Sequence, residues 1–305
     1  MSTRQPLRQP THRISPLASL LSLSLLLLSL SGCGTLSSRG EGPFAGADGL
    51  PETAAEALSA GDTAISQGEL DRALFFYVQA ARMDPKNAEA YTRIGGIHEA
   101  RGDRQRAALA YRQALQADPR HADALAGLGI LLTRQRNYDE ATELLRAAVR
   151  EDRRQARAHN ALGVLADLRR DYPSAKRHYE DALALAPRSP MLQNNLGYSR
   201  YLAGDNAGAV AAFEQALELN PDYTLAWRNL GLVYARQGRY RDALQALGKV
   251  QDQAEAYNDV GYIAMVSGRL EDAESFFDQA LRLAPKHYAL ASDNAERVRA
   301  LRGDR

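Results

Sequence analysis

The sequence predicts an all-α fold, a solenoid of seven helix-turn-helix repeats closed by a C-terminal capping helix. Three spacings carry that reading. Gly61, Gly95, Gly129, Gly163, Gly197 and Gly231 recur every 34 residues, and Gly261 follows after 30. Ala73, Ala107, Ala141, Ala175, Ala209, Ala243 and Ala273 keep the same steps. Pro85, Pro119, Pro187, Pro221 and Pro285 end every unit except the third and sixth. A period of this length marks stacked units, each too small to bury its apolar face alone. Counted from Ala54, the repeats run 54–87, 88–121, 122–155, 156–189, 190–223, 224–253 (short) and 254–287, with a capping helix and tail at 288–305.

Composition narrows the function. The 305 residues are 45% hydrophobic and 25% charged, ordinary for a soluble domain. Lys and Arg number 38 against 37 acids. Arg4, Arg8 and Arg13 lie in the first 32 residues, which hold no acid, so the remainder balances 35 basic against 37 acidic groups. That balance has no footprint for a polyphosphate backbone, and no nucleic-acid partner is expected. The one cysteine, Cys33, excludes an intramolecular disulfide and a Cys-rich metal site.

Residues 1–13 are polar and basic, and Leu17 to Leu30 is an uncharged run of Leu and Ser with one Ala. Fourteen residues fall short of the roughly 20 that span a bilayer. A basic start, a short apolar run and small residues after it make a secretory signal. Leu30-Ser31-Gly32-Cys33 then resembles the lipobox of bacterial lipoproteins. The resemblance implies cleavage after residue 32 and acylation of Cys33, whose chains hold the protein to a membrane. Gly34 in place of Asp implies, by the same resemblance, export to the outer membrane with the protein facing the periplasm. The alternative is an uncleaved signal anchor, since Ile14 to Ser38 is uncharged throughout. Residues 34–53 carry five Gly and two Pro and read as a flexible tether from Cys33. Such a coil reaches about 25 Å.

Within repeat five, Leu192, Leu196 and Leu202–Ala203 share a face of a first helix, while Ala209, Ala212–Phe213 and Ala216–Leu217 share a face of a second. Gly204-Asp205 separates them and Asn220-Pro221 ends the unit. Trp227-x₂-Leu230-Gly231-x₂-Tyr234 followed by Ala243 resembles the tetratricopeptide pattern, as does Leu196-Gly197 with Ala209-x₃-Phe213 and Pro221. The resemblance covers residues 54–287 and implies a right-handed α-solenoid that binds proteins. Repeat six lacks four residues, close to one helical turn. A shortened second helix over Tyr240–Val250 and a local change of pitch are expected. After Pro285, Ala291, Ala295, Val298 and Leu301 share a face and Arg297, Arg299 and Arg302 point to water, as an end cap requires.

No catalytic constellation is found. The six histidines include no i, i+4 pair with a Glu between, and Ala126-Gly127-Leu128-Gly129 lacks both the third glycine of a dinucleotide loop and a preceding strand. No enzyme activity, cofactor or metal is expected. Arg146, Arg150, Arg153, Arg154, Arg157, Arg169, Arg170, Lys176 and Arg177 are interleaved with acids and read as a solvated convex face, the alternative being a contact with anionic lipid head groups or an acidic partner.

In the tetratricopeptide family, positions 2, 5, 9 and 12 of each repeat line the concave groove. Carried onto this chain they give Asn160, Met191, Asn194, Tyr198, Tyr201, Arg228, Leu232, Asn258, Tyr262 and Met265 as the partner-binding set, the alternative for Tyr201 and Met265 being packing on the next repeat. The Asn side chains offer a peptide backbone both a donor and an acceptor. The Tyr residues offer aromatic surface with a polar tip. A lipid-anchored repeat rod resembles the outer-membrane lipoproteins of tight-adherence (Tad, Flp) pilus assembly, relatives of the type IV pilotins. Strings such as residues 253–262 (QAEAYNDVGY) add to that likeness. The resemblance implies a protein or peptide ligand in the groove, a secretin or another pilus-machine subunit. An adaptor for periplasmic proteases or cell-wall hydrolases, or a subunit of a polysaccharide-export complex, fits the same residues.

Cys33→Ser is expected to leave the precursor uncleaved and unlabelled by palmitate. Normal metabolic labelling of that variant would refute the lipobox assignment.

Overall fold

The structure is a computed structural model that describes residues 50–284 and 288–303. Cys33, the signal and most of the tether lie outside the described residues. Fifteen α-helices and no strands are present among them. The first helices of the repeats are α1 (Ala54–Ser66), α3 (Ala88–Ala100), α5 (Ala122–Arg134), α7 (Ala156–Leu168), α9 (Pro190–Leu202), α11 (Thr224–Arg236) and α13 (Gln253–Val266). Their partners are α2 (Leu70–Met83), α4 (Arg104–Ala117), α6 (Tyr138–Glu151), α8 (Tyr172–Leu185), α10 (Asn206–Leu219), α12 (Tyr240–Leu247) and α14 (Leu270–Leu283), and α15 (Ala289–Arg302) closes the stack. The two helices of each repeat pack on one another, and the second helix of each packs on the first helix of the next, the arrangement of a solenoid. No described helix is long and apolar enough to cross a membrane.

Local chemistry sets the helix ends. Side chains of Thr53, Asn87, Asp103, Asp171, Ser189, Asp205 and Asp252 accept from backbone N–H groups two or three residues into the helix that follows each of them. First helices end in a left-handed residue at repeat position 15, such as Gly204 (φ +86°). The next N–H then returns to a carbonyl of the helix, as Asp205 N does to Arg200 O. Repeats three and four place Arg136 (φ +64°) and Arg170 (φ +59°) in that conformation.

Within each repeat the glycine at position 8 faces the side chain at position 24. A Cβ at Gly95 would lie 2.7 Å from the Tyr111 ring, at Gly163 2.7 Å from Tyr179, and at Gly197 2.7 Å from Phe213. Gly129 and Gly231 face Leu145 and Leu247 in the same way. Tyr111 is gripped again from the next repeat by Gly127. These rings are among the largest fully buried side chains of the described residues. Their hydroxyls do not waste the burial: Tyr77 donates to Asp62 (2.6 Å), Tyr111 to Glu99 (3.1 Å) and Tyr179 to Asp167 (2.9 Å). Burial and these carboxylates push all three phenols well above their ordinary pKa.

In repeat five Leu192, Leu196, Ala209, Phe213 and Ala216 are buried as their spacing predicts, whereas Ala203 is the exposed helix cap. Repeat six has the shortened second helix. α12 stops at Leu247, three residues before the expected end, because residues 248–251 close into tight turns (Val250 N to Leu247 O, 2.9 Å) and Asp252 caps α13. The Gly231–Leu247 contact survives the deletion. Ala291, Ala295 and Val298 of α15 are buried, but Leu301 is exposed. Arg299 reaches Glu274 and Asp278 of α14, and Arg302 reaches Glu274, so these arginines tie the cap down instead of pointing free into water.

Gly197→Leu is expected to cost at least the upper part of the roughly 1–3 kcal/mol typical of overpacking. Gly204→Ala has open space and meets only the left-handed backbone penalty of about 1–2 kcal/mol. Thermal or urea unfolding should rank them in that order, and equal losses would refute the packing assignment.

Candidate functional site

The first helices form a continuous row, α3 against α5 and onward to α13. Their positions 2 and 9 are seven residues apart and therefore share a face. On that face Tyr198 is 41% exposed, Leu225 54% and Tyr262 44%, with Met191 and Val266 also exposed. Arg228 is exposed, and Asn160, Tyr201 and Leu232 are half-buried. The Tyr198 and Tyr201 rings lie 6.1 Å apart. This part of the expected set is one surface.

Three members of the set sit below it. Asn194 is 5% exposed, Asn258 2% and Met265 is buried against α14 and α15. The asparagines form rungs between repeats. Asn195 Nδ2 donates to Asn160 Oδ1 (2.8 Å), Asn229 Nδ2 to Asn194 Oδ1 (2.9 Å) and Asn294 Nδ2 to Asn258 Oδ1 (3.0 Å). The acceptor half of each position-5 amide is thus used inside the solenoid and is not free for a peptide backbone. Sequence reasoning missed the donors Asn195, Asn229 and Asn294. Their signal is an Asn 35 or 36 residues beyond each position-5 Asn.

Position 12 is similarly committed. Asp167 accepts from Ser199 Oγ (2.7 Å) and Tyr179, and burial holds its carboxyl above the ordinary aspartate range. Glu99 is nearly buried and receives Arg134 (3.1 Å), Arg157 (2.9 Å) and Tyr111. Arg157, expected on the outer basic face, therefore points into the groove. With Glu99, Ile130, Asn160, Val164 and Met191 it lines a cavity of about 410 Å³. A second cavity of about 390 Å³ lies between Ile65, Leu70, Thr92, Arg93, Gly96 and Arg157. The N-terminal repeats are better furnished than their small residues suggest. One possible metal-ligand cluster among the described residues, His159, His178 and Asp181, lies outside the groove lining.

Sequence-family models match this row of paired helices. A tetratricopeptide-repeat model matches residues 58–122, 160–211 and 230–288, more than half the chain. A second tetratricopeptide-repeat model matches 98–165, and a TPR-repeat model matches 197–238. The chain belongs to the tetratricopeptide-repeat family. Tetratricopeptide proteins bind peptide or protein partners, and the fold is typically a non-catalytic scaffold. Solved structures share it. The Cut9–Hcn1 hetero-tetramer of APC/C matches with a TM-score of 0.59 at 20% identity, over 78% of this chain and 48% of that one. This chain thus spans about half the length of that relative. A tetratricopeptide repeat protein from Parabacteroides merdae gives 0.53 at 17%, over 81% and 99%. Pseudomonas aeruginosa PilF gives 0.54 at 24%, over 70% and 97%. No curated protein sequence matches the chain.

Asn294→Ala is expected to cost about 1–3 kcal/mol, because it strands a buried acceptor on Asn258. Asn195→Ala should cost less, since half-buried Asn160 can turn to water. Urea unfolding of the two variants tests the order, and an undiminished Asn294→Ala protein would show that the rung carries no stability.

Proposed function

We propose that the chain is a lipid-anchored, non-enzymatic interaction scaffold on the periplasmic face of the outer membrane. Its role is to support assembly or localisation of a Tad (Flp) pilus secretion complex, with a secretin-type subunit as partner. The observation that carries the binding role is the row of exposed apolar side chains, Met191, Tyr198, Leu225, Tyr262 and Val266, on adjoining first helices. Water-exposed aromatic and apolar groups in a concave row are what a partner helix or peptide covers. The lipobox at residues 30–33 supports the anchor. Two or more acyl chains on Cys33 suffice for stable attachment. The pilus assignment draws on that lipobox and the repeat strings, while the likeness to PilF is one of fold.

Tyr198→Ala combined with Tyr262→Ala tests the reading. Both side chains are exposed, so the melting temperature should hardly move. A hot-spot aromatic costs about 2 kcal/mol or more on truncation, roughly thirtyfold in affinity. Co-purification of the secretin from the host envelope should therefore fall sharply. Retention at wild-type levels by the folded double variant would move the contact elsewhere, and absence of secretin from the wild-type eluate would refute the pilus assignment.

A further inference from the structure

Repeat four holds three groups that the groove does not use. His159 on α7 is more than nine-tenths buried, His178 on α8 is half-buried, and Asp181 stands one turn further along α8 at the surface. One ligand atom from each lies within 4.8 Å of the others. Nineteen residues separate the two histidines, so no sequence spacing announces them. The fold closes that gap by pairing α7 with α8.

The hydrogen bonding of His159 defines what it offers. Its Nε2 lies 3.3 Å from the carbonyl oxygen of Arg153, which can only accept, so Nε2 carries the proton. Nδ1 then presents a lone pair. That atom is buried without a hydrogen-bond partner and lies 3.5 Å from Asp181 Oδ2, another acceptor. His178 Nδ1 is also buried without a partner. Two unpartnered imidazole nitrogens and a carboxylate thus lie close together, and one imidazole is oriented by a backbone carbonyl on its far nitrogen, as metal-bound histidines are.

We propose that His159, His178 and Asp181 form a divalent transition-metal site of the zinc class that clamps α7 to α8. Two imidazoles and a carboxylate leave a fourth position for water or for a partner's side chain. Tetrahedral bonding at about 2.0–2.1 Å needs the ligand atoms roughly 3.3 Å apart. Rotation of the exposed Asp181 and the half-buried His178 supplies that contraction. Arg146 and Arg177 also act on His178 and oppose a cation held by charge alone. Affinity must then come from the nitrogen donors, which selects Zn²⁺ over Mg²⁺ or Ca²⁺.

The full chain, purified without a polyhistidine tag and stripped with chelator, is titrated with Zn²⁺, Co²⁺ and Mg²⁺. The expected result is one Zn²⁺ per chain, a raised melting temperature, and the visible absorption of tetrahedral Co²⁺. His178→Gln and Asp181→Asn should each weaken Zn²⁺ binding by at least about tenfold while the metal-free variants melt close to the wild type. His159→Gln should do the same; because that residue is buried, the two more exposed variants decide the matter if it unfolds. Absence of stoichiometric binding, Zn²⁺ binding undiminished in both exposed variants, or Mg²⁺ binding as tightly as Zn²⁺ would each overturn the site.

Discussion

Everything in the solenoid depends on one contact, the glycine at position 8 of each first helix against the side chain at position 24 of the second. A Cβ on any of these glycines meets that side chain at 3.0 Å or closer, so the two helix axes lie as near as backbone and ring permit. The closeness lets Tyr77, Tyr111, Tyr179, Phe213 and Phe277 be fully enclosed by only two or three helices. A solenoid has no central core, and each repeat must find its burial locally. The ring does that, and the tyrosine hydroxyl carries the consequence to the row of first helices. Tyr77, Tyr111 and Tyr179 reach through to Asp62, Glu99 and Asp167 on the first helices, so packing within a repeat fixes carboxylates beside the groove.

That chain of cause explains what could be read in advance. The helix pairs, the turns and the shortened α12 follow from spacings of 34 residues and the loss of one turn, because repeat geometry is local and periodic. Tyr198, Arg228 and Tyr262 are exposed at the positions the family pattern assigns to the groove. The groove set was misread at Asn194 and Asn258, and for one reason: whether a position-5 side chain faces water depends on its neighbour in the next repeat. Met265 takes the other course open to it and packs inward. Asn229 and Asn294 turn two candidate ligand contacts into rungs. Arg157 escaped for a different reason. It stands at position 2 of its repeat, a groove position, but within a run of basic residues that looks solvated; its guanidinium meets Glu99, 58 residues earlier. Arg136 and Arg170 show the converse. No residue preference predicts arginine at a left-handed turn, and only the unbroken period puts them there.

The departures from period are informative as a class. Where α12 ends early, Trp227, Leu230 and Tyr234 border a cavity of about 540 Å³ with Glu214, Arg239 and Lys249 at its rim. Trp227 is held by its indole N–H to the Pro221 carbonyl (2.8 Å), and Arg239 stacks on Tyr234 at 4.2 Å. The missing turn thus removes apolar cover without loosening the side chains beneath it, because the Gly231–Leu247 contact lies before the deletion. Shortening a second helix after its position-24 residue costs surface. Shortening it before that residue would cost the repeat.

The two ends of the groove present different problems to a partner. Between repeats two and four, Glu99 already satisfies two arginines and a tyrosine, and a charged ligand must break part of that network before it gains anything. Between repeats five and seven the polar groups beneath the surface are paired with one another, and apart from Arg228 the exposed members of the groove set are apolar or aromatic. Covering them displaces water without stranding a buried donor or acceptor. The rungs add a second advantage: α9 is tied to α11 through Asn194 and Asn229, and α13 to α15 through Asn258 and Asn294, so the Tyr198 and Tyr262 backbones are ordered before any partner arrives. Ordering that precedes binding is not charged against it. A buried ladder that offers a ligand no acceptor is therefore still part of the binding surface, as the frame that keeps its aromatic contacts in place.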